Sequence, residues 1–202
     1  MSGHRSTRIL VIRHGQSTWN AQGRWQGQAD PPLSALGELQ AMQAAEYLVA
    51  PDAVWSSDLQ RAVLTASIIA AELGHDPVAL DPRLRERHAG AWQGLTRDEV
   101  ESGWPGYLAS GRRPAGFEPS DSAGRRALAC LVAAARRLEG ATALVVSHGG
   151  ILRAMRKVLG AHEDIGFANL SGEWFAVDGS TVVAGELVSL LPGDRPVQSS
   201  PL

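Results

Sequence analysis

Two histidine–glycine pairs, each placed directly after a short apolar run, are the residues best suited to chemistry in this chain. Arg13-His14-Gly15 follows Ile9–Ile12, and Ser147-His148-Gly149-Gly150 follows Ala143–Val146. An imidazole has an unperturbed pKa of about 6.5, so near neutral pH it can act as a neutral nucleophile or as a charged donor. The two pairs are therefore interpreted as two halves of one site.

Arginine is the second component of the predicted site. Arg13 precedes the first histidine, and Arg61 lies in the first turn of the helix predicted after the strand Ala53–Trp55. A guanidinium group stays charged and matches phosphate oxygens with a planar fork of donors. Two arginines with His14 and His148 predict a phosphoryl pocket, in which one imidazole attacks phosphorus and the other contacts the equatorial oxygens.

Glycine and glutamate complete the expected chemistry. Gly15 and Gly149 are interpreted as removing side chains where the phosphate comes close. The leaving alkoxide needs a proton, and Glu86 is the candidate donor, because a carboxyl group in an occluded anionic pocket is expected to stay protonated. From residue types alone three other carboxyl groups compete for this role, namely those of Asp58, Asp81 and Glu99.

The elements that must position these residues alternate between short apolar runs and helical patterns. This alternation predicts an α/β fold, a three-layer α/β/α arrangement with a mostly parallel central sheet. Ligands of such sheets bind in the crevice outside the carboxyl ends of the strands. Strands are predicted at 9–12, 53–55 and 143–146, and a hairpin at 174–183 turns at Asp178-Gly179. Helices are predicted at 34–49, 59–73, 120–139 and 150–159, with a short one after the capping box 96–99.

Three local patterns add detail to this prediction. Leu36, Leu39 and Met42 share one face of the helix 34–49, as in an amphipathic helix. Ser56-Ser57-Asp58 is a capping cluster for the helix that follows. Residues 103–119 are rich in glycine and proline, which favours an irregular excursion over a domain linker.

Composition limits the class of protein. The chain has 202 residues, 44% hydrophobic and 20% charged, which fits a single domain over 1–191 and a disordered tail over 192–202. A formal net charge of −2 gives no basic field for nucleic acid, so we expect none as a partner. The one cysteine, Cys130, excludes an intramolecular disulfide and a CxxC metal site. No apolar run approaches the roughly 20 residues of a membrane span, so we expect a cytoplasmic protein without a membrane partner.

At these residues the chain resembles the histidine phosphatase superfamily, the phosphoglycerate mutase-like fold. The resemblance covers roughly residues 8–160, in the order of the family. It is carried by Arg13-His14-Gly15-Gln16-Ser17 with Trp19-Asn20, Gly23-Arg24-Trp25-Gln26-Gly27, Asp30-Pro31-Pro32-Leu33-Ser34, Ser56-Ser57-Asp58-Leu59-Gln60-Arg61-Ala62, Leu84-Arg85-Glu86, Gly90-Ala91-Trp92-Gln93-Gly94-Leu95-Thr96 and Ser147-His148-Gly149-Gly150. One departure is Phe117-Glu118-Pro119, where the family often has Gly-Glu-Ser.

The resemblance implies a phosphatase of small phosphomonoesters, such as a sugar phosphate or a phosphoglycerate derivative, that acts through a phosphohistidine on His14. Arg13, Arg61 and His148 would hold the phosphoryl group with help from Asn20, and Glu86 would donate the proton. Neither a metal nor an organic cofactor is implied, and a homodimer is expected only by analogy. Gln26-Gly27-Gln28 and Asn169–Trp174 are similar to glucosyl-3-phosphoglycerate phosphatases, which adds Gln26 and Gly27 as substrate-binding candidates.

Alternatives remain open for individual residues and for the activity. Trp92 is a candidate wall of the substrate pocket, or else part of the core, and Asn20 either contacts phosphate or makes a turn. A cofactor-dependent phosphoglycerate mutase and a non-catalytic phosphate-binding domain are the alternative functions. Mutases of the family carry a basic insertion, whereas residues 87–119 contain four arginines and no lysine, which favours hydrolysis. A dinucleotide-binding domain is disfavoured, because Arg13-His14-Gly15 stands where its glycine-rich turn would begin.

Overall fold

A six-stranded sheet forms the centre of the computed structural model, which describes residues 6–75, 77–161 and 165–191. The strands are β1 Thr7–Arg13, β2 Ala53–Ser56, β3 Ala79–Leu80, β4 Thr142–Ser147, β5 Ser171–Asp178 and β6 Thr181–Ser189. Their order across the sheet is β3-β2-β4-β1-β5-β6. Neighbours from β3 to β1 are parallel, and β5 and β6 add an antiparallel pair at one edge.

Helices cover both faces of this sheet. They are α1 Thr18–Ala21, α2 Ala35–Ala45, α3 Gln60–Glu72, α4 Arg97–Gly103, α5 Ser120–Leu138 and α6 Gly149–Val158, with 3₁₀ turns at Pro82–Leu84 and Gly90–Trp92. Ile9 and Val11 of β1 pack in the core beneath α5 and α6, while Leu10 and Ile12 pack on the α2 and α3 side. Burial on both faces explains why β1 is continuously apolar rather than alternating. The predicted three-layer architecture is confirmed.

Helix α2 contradicts its predicted orientation. Leu36, Leu39 and Met42 are exposed, and the buried residues are Gly37 and three alanines. The cause is a close backbone crossing, because a Cβ on Gly37 would overlap the carbonyl oxygen of Gln16. Only a face of very small residues can approach the chain this closely. The helix also ends at Ala45, four residues before the predicted end.

The capping cluster before α3 is a second correction. The N-cap is Leu59, whose own side chain cannot cap the helix; the amide of Leu59 donates to Oγ of Ser57 at 3.3 Å and the amide of Gln60 donates to Oδ1 of Asp30 at 2.8 Å. Ser57 also lies where β2 ends, buried beside His148. The position of Arg61 in the first turn of α3 is as predicted.

The other predicted elements lie within one or two residues of their bounds or are extended. The hairpin turns at Gly179 with a φ of 59°, and its strands reach back to Ser171 and forward to Ser189. Residues 192–202, predicted as a disordered tail, lie outside the described residues. In the part of the chain that the structure describes, every helix is too short or too polar to cross a membrane.

Candidate active site

The two histidine–glycine turns meet at one edge of the sheet. Strands β2, β4 and β1 are parallel neighbours, so their carboxyl ends lie together. Arg13 pairs in register with Ser147, and the amide of His14 donates to the carbonyl of Ser147 at 3.0 Å. The rings of His14 and His148 lie 5.1 Å apart between centroids, in an edge-to-face arrangement. The structure thus brings the two predicted halves of the site together.

The environment of His14 selects one tautomer. Its Nδ1 donates to the carbonyl of Gly15 at 2.6 Å, and its Nε2 accepts from Nε of Arg61 at 3.3 Å. Burial, followed by the charges of Arg61 and Arg13, lowers the pKa of His14 well below its usual value. The ring is therefore neutral at pH 7, with a lone pair on Nε2, the state that a nucleophile requires.

Arg61 is held by the loop that follows α1. Its Nη1 donates to the carbonyl of Ala29 at 2.8 Å and its Nη2 to that of Gly27 at 2.9 Å. Burial lowers the pKa of Arg61 to about 10, so the group is charged at neutral pH. Gly27 has a φ of 54°, and a Cβ there would lie 2.7 Å from the amide nitrogen of Ala89. The backbone carbonyl of Gly27 thus orients the Arg61 side chain.

His148 is the N-cap residue of α6 and is fully buried. Its Nε2 lies 2.9 Å from Oγ of Ser57, while its Nδ1 has no hydrogen-bond partner among the described residues. Burial, then the charge of Arg61 and the proximity of His14, lower the pKa of His148 well below its usual value. Ser57 was assigned to a helix cap from sequence, so its contact with the second histidine is a finding of the structure.

Arg13 approaches the site from the end of β1. Its Nη1 donates to the carbonyl of Phe167 at 2.7 Å, and burial together with the charge of Arg153 lowers its pKa to about 10. A Cβ on Gly149 would lie 3.3 Å from Cδ of Arg13, so Gly149 makes room for this arginine. Gly15 makes room for α2, since a Cβ there would lie 2.5 Å from the carbonyl oxygen of Gly37. Both glycines lie at close approaches, and the neighbours are groups of the protein itself.

The amide groups around His14 form a short chain. Asn20 accepts from the amide of Ser17 at 3.2 Å in the capping box of α1, and Ser17 Oγ donates to Gln26 at 2.7 Å. Asn169 donates to the carbonyl of His14 at 2.8 Å. Asn20 thus makes the turn that was its alternative role, and it does so beside the site. Asn169 lies in a segment noted for family resemblance, but no sequence spacing pointed to its contact with His14.

Glu86 lies against the beginning of α6. Its Oε2 accepts from the amide of Gly150 at 2.9 Å and its Oε1 from the amide of Arg87 at 2.7 Å. A Cβ on Gly150 would overlap the Glu86 carboxyl group, so the second glycine of Gly149-Gly150 is required at this contact. The Glu86 carboxyl group therefore contacts the residue two positions after His148, at the same end of α6.

The competing carboxyl groups are engaged elsewhere. Asp58 forms a two-pronged ion pair with Arg85, with both N–O distances at 2.7 Å, and Asp81 forms one with Arg83. Glu99 caps α4 in its predicted capping box. These contacts favour Glu86 among the candidates for a proton donor.

Trp92 lies in an aromatic cluster and not on a pocket wall. Its ring is fully buried, 5.1 Å from Trp25 and 5.7 Å from Phe117, with Trp104 at 6.4 Å. The cluster joins the excursion 103–119 to the loop that carries Gln26. This burial corresponds to the core-packing alternative for Trp92. Within the described residues no group of three His, Cys, Asp or Glu side chains is arranged to hold a metal ion.

An α/β sheet that gathers two histidines and two arginines at the carboxyl ends of its parallel strands defines an enzyme of phosphoryl transfer. The profile of the histidine phosphatase superfamily, branch 1, matches residues 9–172, and the chain belongs to this superfamily.

The relatives of this chain include two phosphatases and a group of probable mutases. The chain is 38% identical to a metal-independent phosphoserine phosphatase of Arabidopsis thaliana, over 74% of this chain and 67% of the relative. It is 35% identical to a glucosyl-3-phosphoglycerate phosphatase of Mycobacterium tuberculosis, over 84% of this chain and 87% of the relative. Probable phosphoglycerate mutases of Salmonella are also related, with 39% identity over 70% of this chain and 69% of theirs.

A solved structure shows the same fold. Phosphoserine phosphatase from Entamoeba histolytica, in complex with 3-phosphoglyceric acid, superimposes with a TM-score of 0.77 at 28% identity, over 91% of this chain and 97% of that one. The protein is a phosphoric monoester hydrolase of the histidine phosphatase type.

Proposed function

We propose that Nε2 of His14 attacks the phosphorus atom of a small phosphomonoester. The N–P bond forms as the ester P–O bond breaks, and Glu86 transfers a proton to the departing oxygen. Water then attacks the phosphohistidine, which releases inorganic phosphate and frees His14. The observation that carries this assignment is the neutral, buried His14, whose Nδ1 is committed to Gly15 and whose Nε2 lies beside Arg61.

The remaining site residues have roles that follow from their charge and placement. Arg13 and Arg61 are charged groups with N–H donors beyond those used in their hydrogen bonds to the described residues, and they balance the negative charge that the phosphoryl oxygens carry in the transition state. His148 donates from Nδ1 to a phosphoryl oxygen, while the hydroxyl of Ser57 donates to its Nε2. Asn20 accepts a hydrogen bond from the amide of Ser17 and so holds the loop between β1 and α1 at the edge of the site.

Water is the proposed acceptor of the phosphoryl group, in preference to a second hydroxyl of the substrate. The excursion that follows Glu86 packs its aromatic residues on Trp92, and its cations are arginines alone. A mutase remains the second candidate because relatives with that name exist. A mutase would form an isomerised product without release of inorganic phosphate, and such a result would contradict hydrolysis.

The substrate we propose carries a carboxylate beside its phosphoester. The named relatives act on phosphoserine or on glucosyl-3-phosphoglycerate, and both compounds have this arrangement. Arginines near the site supply matching charge, since Arg153 contributes to lowered pKa values at Arg13, Arg87 and Arg113. Burial is the largest cause of the lowered pKa of each of these three arginines.

A panel of matched substrates tests this proposal by measuring phosphate release. Phosphoserine and phosphoethanolamine differ by one carboxylate, so we expect a higher kcat/KM for phosphoserine. Glucosyl-3-phosphoglycerate, 3-phosphoglycerate and simple sugar phosphates extend the comparison. Equal turnover of the matched pair would contradict the carboxylate requirement, and a lack of phosphate release from every member would contradict hydrolysis.

A further inference from the structure

An ion pair outside the proposed mechanism lies behind Glu86. Glu118 precedes α5 and Arg126 lies in its second turn, and they meet in two parallel hydrogen bonds of 2.8 Å each. Burial alone would raise the pKa of Glu118, but the hydrogen bond and charge of Arg126 lower it below its usual range. The pair is therefore charged at neutral pH, with side chains only 18% and 22% exposed.

This pair holds the backbone of the segment that carries Glu86. Nη1 of Arg126 donates to the carbonyl of Arg83 at 2.6 Å, and Nη2 donates to the carbonyl of Glu86 at 3.2 Å. The amide of His88 donates to Oε2 of Glu118 at 3.2 Å. One ion pair thus contacts the chain before, at and after Glu86.

The helices that supply these contacts are themselves in close contact. A Cβ on Gly124, two residues before Arg126, would overlap the carbonyl of Ala154 in α6. At the beginning of α6, the amide of Gly150 holds the carboxyl group of Glu86. The backbone of Glu86 is therefore held from α5 and its carboxyl group from α6, with the two helices packed backbone to backbone.

We propose that Glu118 and Arg126 form a positioning pair that sets the Glu86 carboxyl group for proton transfer to the leaving oxygen. The inference rests on the proposed role of Glu86 as the acid. A misplaced general acid slows the reaction only where the leaving group needs a proton. An alkyl alkoxide needs one, whereas p-nitrophenolate is stabilised and departs without it.

Arg126→Lys is the first test, because lysine keeps the charge but lacks the fork that reaches Glu118, Arg83 and Glu86 together. The measurement is kcat/KM for the best alkyl phosphate of the panel and for p-nitrophenyl phosphate, since this constant excludes the hydrolysis of the phosphoenzyme. We expect a loss of about 100-fold for the alkyl substrate. The value for p-nitrophenyl phosphate changes little. The ratio of the two constants is independent of the folded fraction, and Glu118→Gln shifts it in the same direction.

Arg83→Lys is the matched control. The Arg83 guanidinium group binds Asp81 through a similar pair of hydrogen bonds, of 3.0 and 2.6 Å, and the substitution weakens this pair. Arg83 lies on the same segment as Glu86, but its hydrogen bonds to Asp81 do not involve Glu86. We expect an unchanged substrate ratio. Loss of both activities by one factor in Arg126→Lys, no loss at all, or an equal shift in Arg83→Lys would overturn the inference.

Glu86→Gln separates this inference from the proposed function. If the Glu86 variant loses alkyl turnover selectively and the Arg126 variant does not, the acid role stands and the positioning pair fails. Equal loss on both substrates in Glu86→Gln would instead overturn the acid role itself.

Discussion

The chemistry proposed for His14 depends on two hydrogen bonds of its ring and on the burial of that ring. The carbonyl of Gly15 holds the proton on Nδ1, Arg61 lies against Nε2, and burial with two guanidinium groups keeps the ring neutral. Each contact alone is ordinary for a buried histidine. Together they keep Nε2 unprotonated, so its lone pair can attack a phosphorus atom once the hydrogen bond from Arg61 is released.

His14→Ala tests this directly. Loss of the proposed nucleophile is expected to lower phosphate release by at least about 10⁴-fold, because the remaining groups only bind and polarise the substrate. Circular dichroism and the melting temperature report whether the fold is retained. Turnover near that of the unchanged protein would refute the assignment of His14.

Arg61→Lys tests geometry at constant charge. Lysine cannot contact Gly27, Ala29 and His14 at once, so we expect kcat/KM to fall by about 10²–10³-fold, as for the loss of a charge-stabilising donor. Steady-state phosphate release measures the effect. The same substitution at Arg125, an exposed residue of α5, is the control and should leave kcat/KM unchanged. A comparable fall there would show that the effect is not specific to the site.

At the scale of elements, backbone contacts decide how the helices approach the site. Gly37 of α2 presses against the turn that carries Gly15, the alanines of α2 pack in the core, and Gly124 of α5 presses against α6. Small residues replace the large apolar side chains that usually define the buried face of a helix.

Gly37→Ala is expected to destabilise the protein by about 1–3 kcal/mol, because the added Cβ meets backbone that cannot rotate away. Denaturant unfolding measures the change. Gly103→Ala is the control, since a Cβ there has open space and the residue is helical, so stability should stay equal or rise. Equal stability of the two variants would contradict the close crossing.

At the scale of the whole molecule, the strand order decides which residues meet. Because β2, β4 and β1 are neighbours in the sheet, Arg13, Ser57 and His148 lie together at the carboxyl ends of these strands, and α3 adds Arg61. The site therefore exists only in the folded sheet, and its burial lowers the pKa values of two histidines. Stability and pH are coupled through them.

Both histidines have a folded-state pKa below the unfolded value of 6.5, so below that pH the unfolded chain binds more protons. The free energy of unfolding should fall as pH decreases below 6.5, by up to about 1.4 kcal/mol per pH unit for each histidine. Urea unfolding between pH 7.5 and 5.5 measures the slope. The variant His14→Ala/His148→Ala should have a flatter slope. An unchanged slope in the double variant would contradict the coupling.

Much of this protein is determined by local sequence. The continuous apolar runs of β1 and β4 predict strands buried on both faces, and the turns after them carry Arg13, His14 and His148. The motif order identifies the family and locates Arg61 and Glu86. The strands and turns are predictable because each depends on residues adjacent in the chain, whose periodicity and turn chemistry are local.

Only the tertiary structure decided which partners these residues have. Ser57 beside His148, Asn169 beside His14, and the pair Glu118–Arg126 behind Glu86 join residues 8 to 155 positions apart. The outward face of α2 followed from one glycine crossing and not from its hydrophobic pattern. Such contacts depend on how closely two backbones pack, and this distance is set by the whole fold rather than by any single segment.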